Sequence, residues 1–208
     1  MKQRLSRRQF GLGLLPSAAA LRAQAAEWTP LFDGKTLNGW KEAPFYRRGT
    51  VTVRDNSIIL GKGSMTGIAW TGGFPTTNYE VRFEAARLEG KDFFAGLTFP
   101  VADSHCSWIN GGWDGTVVGL SNIDGYDAAE NELSLNRDFA NGQWYRFRLA
   151  VTKQRIEGWI DDVRLIEVDL NVHRVSLRLD DIDLCTPLGF ASYATVAGLR
   201  QIAWRPLT

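Results

Sequence analysis

Trp144–Val168, WYRFRLAVTKQRIEGWIDDVRLIEV, reads with a period of two. Tyr145, Phe147, Leu149 and Val151 alternate with polar neighbours that include Arg146 and Arg148. An extended chain therefore puts an apolar row on one side and guanidinium groups on the other. The chain turns, comes back as Arg155–Ile160, breaks at the turn pair Asp161-Asp162 and returns as Val163–Val168. The same pattern recurs upstream. Tyr79, Val81, Phe83 and Ala85 alternate with Glu80, Arg82, Glu84 and Ala86, while Thr50–Arg54 and Ile58–Leu60 flank the turn Asp55-Asn56-Ser57. No amphipathic stretch longer than two helical turns interrupts these strands. Short strands with turns every ten or so residues predict an all-β sandwich or barrel of antiparallel sheets.

Leu31–Trp40, LFDGKTLNGW, sets the turn dipeptides Asp33-Gly34 and Asn38-Gly39 among the apolar anchors Leu31, Phe32, Leu37 and Trp40. This string resembles the opening of the DUF1080 family, the 3-keto-disaccharide hydrolase domain. Trp144–Val168 is similar to the back end of concanavalin A-like jelly rolls, and Leu188–Ala191 with Leu199–Trp204 resembles the family's closing strands. The resemblance thus spans the mature chain and implies a concanavalin A-like jelly-roll sandwich of two antiparallel sheets. Three positions depart from the family pattern. Ala95–Pro100 ends in proline where the family strand ends in arginine, Val117–Ser121 stands for a Glu-x-Gln strand, and Ala191-Ser192-Tyr193 lacks a family histidine. Residues 107–132 resemble a distinct subgroup with its own polar set, so family roles do not transfer wholesale.

The first 25 of the 208 residues read as a removable signal, which leaves 26–208 as a single domain. Lys2, Arg4, Arg7 and Arg8 precede a mildly apolar run broken by Gly11, Gly13 and Pro16, and Ala23-Gln24-Ala25 is a small-x-small cleavage pattern. The run is well short of the ~20 apolar residues a bilayer span needs. Ser6-Arg7-Arg8-Gln9-Phe10 carries a twin arginine, and Arg22 near the cleavage point fits the same export route, so a periplasmic or secreted protein is expected. The signal holds five of the 24 basic residues and none of the 23 acidic ones, so the mature domain has 19 against 23 and a net charge of −4. That balance argues against nucleic acid as a partner and against attraction to anionic membranes. Cys106 and Cys185 either pair in an oxidising compartment or lie buried separately.

Chemistry is expected at the centre. Between Asp103 and Glu132 the chain gathers His105, Trp108, Asn110, Trp113, Asp114, Asp124, Tyr126, Asp127 and Glu130 on Gly-rich connections. A sugar cleft needs rings to stack on the pyranose and amides or carboxylates for its hydroxyls, which makes Trp108, Asn110, Trp113, Asp114 and Tyr126 candidate substrate contacts. Trp108 and Trp113 also read as core residues, and 124–132 as a solvated acidic loop. Glu80 and Glu84 share a strand face, but i and i+4 lie ~13 Å apart along a strand, too far for the ~5 Å carboxyl pair of a retaining glycosidase. Glu80 with a loop acid such as Asp127 or Glu130 remains a candidate catalytic set.

What the resemblance implies is cleavage of 3-keto-glycosides. The C3 ketone acidifies the C2 proton, a base removes it, the C1 substituent is eliminated, and water adds back. His105 is the candidate base by residue type, with Asp124, Asp127 or Glu130 as acids or as ligands of a divalent metal ion, the one cofactor considered for stabilising the enolate. A non-catalytic carbohydrate-binding jelly roll demands only rings and hydroxyl partners, and that reading stays open beside the enzyme. Replacing Arg7 and Arg8 together by Lys is expected to leave the precursor in the cytoplasm on cell fractionation, because the receptor reads paired guanidinium groups. Normal export of the variant would overturn the twin-arginine reading and leave export itself standing.

Overall fold

The computed structural model describes residues 26–178 and 181–207, so the signal read in residues 1–25 lies outside the described residues. In chain order the strands are β1 (Thr29–Pro30), β2 (Trp40–Glu42), β3 (Val51–Arg54), β4 (Ser57–Leu60), β5 (Met65–Trp70), β6 (Tyr79–Glu89), β7 (Gly96–Val101) and β8 (Ser104–Gly112). They continue as β9 (Val117–Ser121), β10 (Leu135–Asn136), β11 (Trp144–Val151), β12 (Arg155–Ile160), β13 (Val163–Asp169), β14 (Gly189–Tyr193) and β15 (Val196–Pro206). One 3-10 turn, Asp181–Cys185, precedes β14, and no α-helix occurs among the described residues. One sheet runs β13-β12-β11-β6-β15-β4-β3, with β1 also paired to β15; the other runs β10-β9-β8-β7-β14-β5-β2. The two antiparallel sheets face each other as the expected jelly roll.

Local chemistry explains the hairpins. Asp55 and Asn56 between β3 and β4, and Asp161 and Asp162 between β12 and β13, all have positive φ. Two consecutive left-handed residues match the twist of a two-residue hairpin, and Asp and Asn tolerate that region better than other side chains. The LFDGKTLNGW segment has a larger role than starting an edge, because it carries the chain from one sheet to the other. Leu31 N–H donates to the Ile202 carbonyl on β15, and Trp40 opens β2 in the opposite sheet while its indole donates to the Leu31 carbonyl at 2.8 Å. Asp33 closes the turn between them by accepting from Lys35 N, Thr36 N and Thr36 Oγ1. Those hydrogen bonds, Thr36 first, hold its carboxyl down at about 2. Gly39, at φ 82°, lies so close to the Trp70 ring that a Cβ there would meet it at 2.4 Å.

The core sits between the sheets. Phe83 on β6 and Phe147 on β11 are direct cross-strand partners and stack with centroids 4.8 Å apart. From the other sheet Phe190 meets Phe83 edge-on at 4.9 Å and Trp108 meets Phe147 at 5.7 Å. Trp108 is therefore a core residue, with no exposed surface, and is not available to a sugar. Asn110 is buried on the same side of β8, where its amide donates to the Ala95 carbonyl at 2.9 Å. Both correct the sugar-contact expectation. The physical reason is the alternation of β8, in which Cys106, Trp108 and Asn110 face inward and His105, Ser107 and Ile109 face out. Cys106 and Cys185 are free and buried in two separate clusters, one between the sheets and one on the far side of β5 and β14, and burial pushes both thiols up to about 12. A Trp108→Ala variant should lose about 3 to 5 kcal/mol of stability in urea denaturation.

Candidate functional site

Facing away from the core, β5, β8, β9 and β14 present Met65, Ser107, Ile109, Ser121 and Tyr193 to a cavity of about 330 Å³. Asp92, Phe93 and Trp113 from the loops before β7 and after β8, together with Arg178 and Ile182, complete the lining. The floor carries hydroxyls: Ser107 Oγ lies 2.9 Å from Thr98 Oγ1 on β7, and Ser121 Oγ donates to Asn122 Oδ1 at 3.1 Å. The walls are aromatic. Phe93 and Tyr193 stack with centroids 6.0 Å apart, and the Arg178 guanidinium lies 5.8 Å from the centre of the Trp113 ring. Trp113 is 39% exposed and held at φ 48°, which turns its indole out of the sheet.

Asp92 is the carboxylate among the described lining residues. Its Oδ1 accepts from Phe93 N at 2.7 Å and its Oδ2 from Asp114 N at 3.3 Å, so it ties the two loops that bring Phe93 and Trp113 together. Thr195 Oγ1 receives Asp92 N–H and donates to its carbonyl, both at 3.2 Å. Arg178 is oriented by Asp127 at 3.1 Å, whose other oxygen accepts from Ala129 N. The site thus combines rings, fixed hydroxyls, a carboxylate and a guanidinium, the set that recognises a polar ring with two apolar faces.

Several residues expected from the sequence lie elsewhere. Glu80 is 2% exposed on the outer face of the opposite sheet, where Arg148 (2.5 Å) and Arg205 (2.7 Å) hold its two oxygens. It is separated from the cavity by the whole core. His105 shares the outward face of β8 with Ser107 but stands outside the lining, and partial burial lowers its basicity. Glu130 is exposed in the turn after Asp127, Asp114 pairs with Lys91, and Tyr126 is exposed beside its bridge to Ile123. Asp124 and Asp127 do not share a site. Asp124 accepts from Arg174 N and lies 2.7 Å from His173 Nδ1, while Asp127 faces Arg178. Among the described residues no three His, Cys, Asp or Glu side chains gather as a metal-binding group, so the donor set expected for a divalent ion at these aspartates is not assembled.

Asp92, Phe93, Ser107, Ser121, Arg178 and Tyr193 escaped the sequence reading. The usable signal lay in β8, where alternation puts Ser107 on the face opposite Trp108.

Residues 27–179 match a single sequence family. The chain belongs to the 3-keto-alpha-glucoside-1,2-lyase-like domain family. No curated protein matches it in sequence. Among solved structures it is similar to a putative glycosyl hydrolase from Parabacteroides distasonis, with 14% identity, a TM-score of 0.57, and coverage of 87% of this chain and 94% of that one. The carbohydrate-binding module CBM66 from Bacillus subtilis gives 10%, 0.53, 80% and 95%. The Crh5 transglycosylase gives 12%, 0.59, 89% and 85%. At such identities the likeness is one of fold. No helix among the described residues is long and apolar enough to cross a membrane.

Asp124 makes a prediction about acid stability. The Arg174 amide, followed by His173, lowers its carboxyl pKa in the folded state. The stabilisation is present above the ordinary carboxylate value of about 3.9 and is lost as the pH falls through the lower folded value. Thermal midpoints measured from pH 6 down to 2 should therefore fall less for Asp124→Asn than for the parent protein.

Proposed function

We propose that the protein is an exported enzyme that cleaves 3-keto-glycosides by elimination, with the cavity on β5, β8, β9 and β14 as its sugar site. The observation carrying this reading is the convergence of Asp92 and Arg178 on a cavity walled by Phe93, Trp113 and Tyr193. The lyase character of the family gives the reaction its class. The rings hold the sugar face, and Ser107 and Ser121 meet its hydroxyls.

In this proposal Asp92 takes the C2 proton, and the electron pair moves into an enolate toward the C3 oxygen. Arg178 stabilises that negative charge. The C3 carbonyl then re-forms as the C1–C2 double bond forms and the C1–O bond breaks. The proton held by Asp92 passes to the departing oxygen, and water later adds across C1 and C2. Asp127 acts in this scheme as the residue that positions Arg178. Among the described residues no metal group assembles at Asp124 and Asp127, and this scheme routes no step through one.

A binding-module reading is favoured by a separate observation. The three departures from the family pattern, Pro100, the Val117–Ser121 strand and Tyr193, fall on β7, β9 and β14 in the sheet that floors the cavity. Tyr193 and Ser121 line it directly. A site stripped of three polar groups still binds sugars through rings.

Kinetics on a 3-keto-glucoside decide between the two. Asp92→Asn should lower turnover on the order of 10²- to 10⁴-fold, the usual worth of a positioned base, while sugar binding persists. Trp113→Ala should weaken sugar binding and leave stability within about 1 kcal/mol, as expected for a half-exposed side chain outside the core. A parent protein that binds sugars yet turns over no 3-keto substrate, with or without added divalent metal, would decide for the binding module.

A further inference from the structure

The outer face of the other sheet is built very differently. On β6, β11 and β15 it carries five arginines, Arg82, Arg146, Arg148, Arg200 and Arg205, against two glutamates, Glu80 and Glu84. This concentration is unexpected in a mature domain whose net charge is negative. Four of the five have carboxylate partners. Arg148 and Arg205 share Glu80, Arg200 takes Glu84 at 2.7 Å, and Arg146 takes the exposed Asp162 at 2.7 Å. Arg82 has no ion pair among the described residues. Its guanidinium is laid on the Trp28 ring at 4.4 Å, with Arg205 also on that indole at 4.5 Å, and its direct cross-strand neighbour is Arg148. Stacking on an indole satisfies the flat face of a guanidinium but leaves its N–H edge unpaired, and it fixes the plane of the donor fork.

A depression of about 250 Å³ opens at this point, lined by Arg82, Glu84, Arg146 and Gln201, with Phe83 and Phe147 beneath. Gln201 is aimed into it by the irregularity of β15. The register with β6 shifts between Arg200 and Ala203, and Gln201 is exposed at φ 55°. Bulges of this kind re-aim a side chain, and a glutamine held in the left-handed region needs the surrounding strand to keep it there. Arg146 is free to change partner at little cost, since its pair with Asp162 is exposed and such pairs contribute little.

From Arg82, Arg146 and Gln201 we infer a second ligand site on the outer face of β6, β11 and β15, for the carboxylate or sulfate ester of an acidic saccharide. The two guanidinium groups take the oxyanion with charge-assisted hydrogen bonds, and the Gln201 carboxamide meets an adjoining hydroxyl. The core separates this site from the Asp92 cavity, so it stands whether or not that cavity turns over a substrate. It would anchor the protein to an acidic glycan while the opposite face stays free.

Titration calorimetry of the mature domain with an oligogalacturonate, a sulfated oligosaccharide and a neutral oligosaccharide tests it. Binding of the oligogalacturonate assigns the carboxylate source, and binding of the sulfated probe assigns the sulfate source. Either should weaken by roughly tenfold or more in Arg82→Gln and in Arg146→Gln. Arg82→Lys should weaken it too, because the charge remains but the planar fork is lost. Each variant's thermal midpoint reports whether it folds, and Gln201→Ala, which removes no charge, supplies an independent readout of the same site. Turnover or sugar binding at the Asp92 cavity should not change. Failure of the parent to bind either acidic probe would overturn the proposal. So would an equal loss in Arg54→Gln, which removes the same charge from β3 at the sheet's edge.

Discussion

Phe83 and Phe147 lie plane to plane across β6 and β11, and Trp108 and Phe190 close on them edge-on from the opposite sheet. The rest of the sandwich follows from this contact. Rings of that size bury large apolar areas and prefer stacked or edge-on geometry, so the contact sets both the register of β6 against β11 and the way the two sheets meet. A one-residue slip would carry Phe83 and Phe147 to solvent and bring Arg82 and Arg146 into the core, which neither side chain tolerates. Once Trp108 is inside, alternation compels Ser107 and Ile109 to face outward, and these become part of the cavity floor.

The two outer faces are put to different uses. On one, the loops before β7 and after β8 are joined through Asp92, and the 3-10 turn with Phe45 and Ile182 covers part of the sheet. This cover explains why β7 and β8 are buried along most of their length on both sides. On the other, the three central strands are shielded among the described residues by side chains of the sheet itself and by Trp28, just before β1, which lies over Arg82 and Arg205. Indoles and guanidinium groups stack as Trp159 on Arg148 at 3.6 Å and Trp144 on Arg200 at 4.0 Å. Stacked arginines can keep their N–H edges for carboxylates, which is how Glu80 is buried without being left unpaired.

The strand order of the back end was legible because each strand there is covered on one side only. β11 and β12 alternate cleanly, and the Asp161-Asp162 turn announces its own geometry. The LFDGKTLNGW segment was legible as turns with buried anchors, but not as the link between sheets, since neither β1 nor β2 is long enough to show its partner. Trp113 was legible as a candidate site residue. Trp108 and Asn110 were not distinguishable from it, because tryptophan and asparagine serve equally in a core and in a sugar cleft.

By itself the sequence determined the all-β class, the hairpins and the inward row of β6 and β11, because period-two patterning and turn chemistry are local properties of the chain. It also determined that aromatic and acidic groups crowd between residues 103 and 132. Which of them meet was decided only by tertiary structure. Asp92 and Tyr193 are about a hundred residues apart in sequence and reach one cavity because β14 pairs with β7 and β5, a pairing no local pattern encodes. Glu80 and Asp127 looked like candidate partners, yet the sheets place them on opposite sides of the core. The alternation of a strand tells which residues share a face, but only the packing of the second sheet says which face is inside.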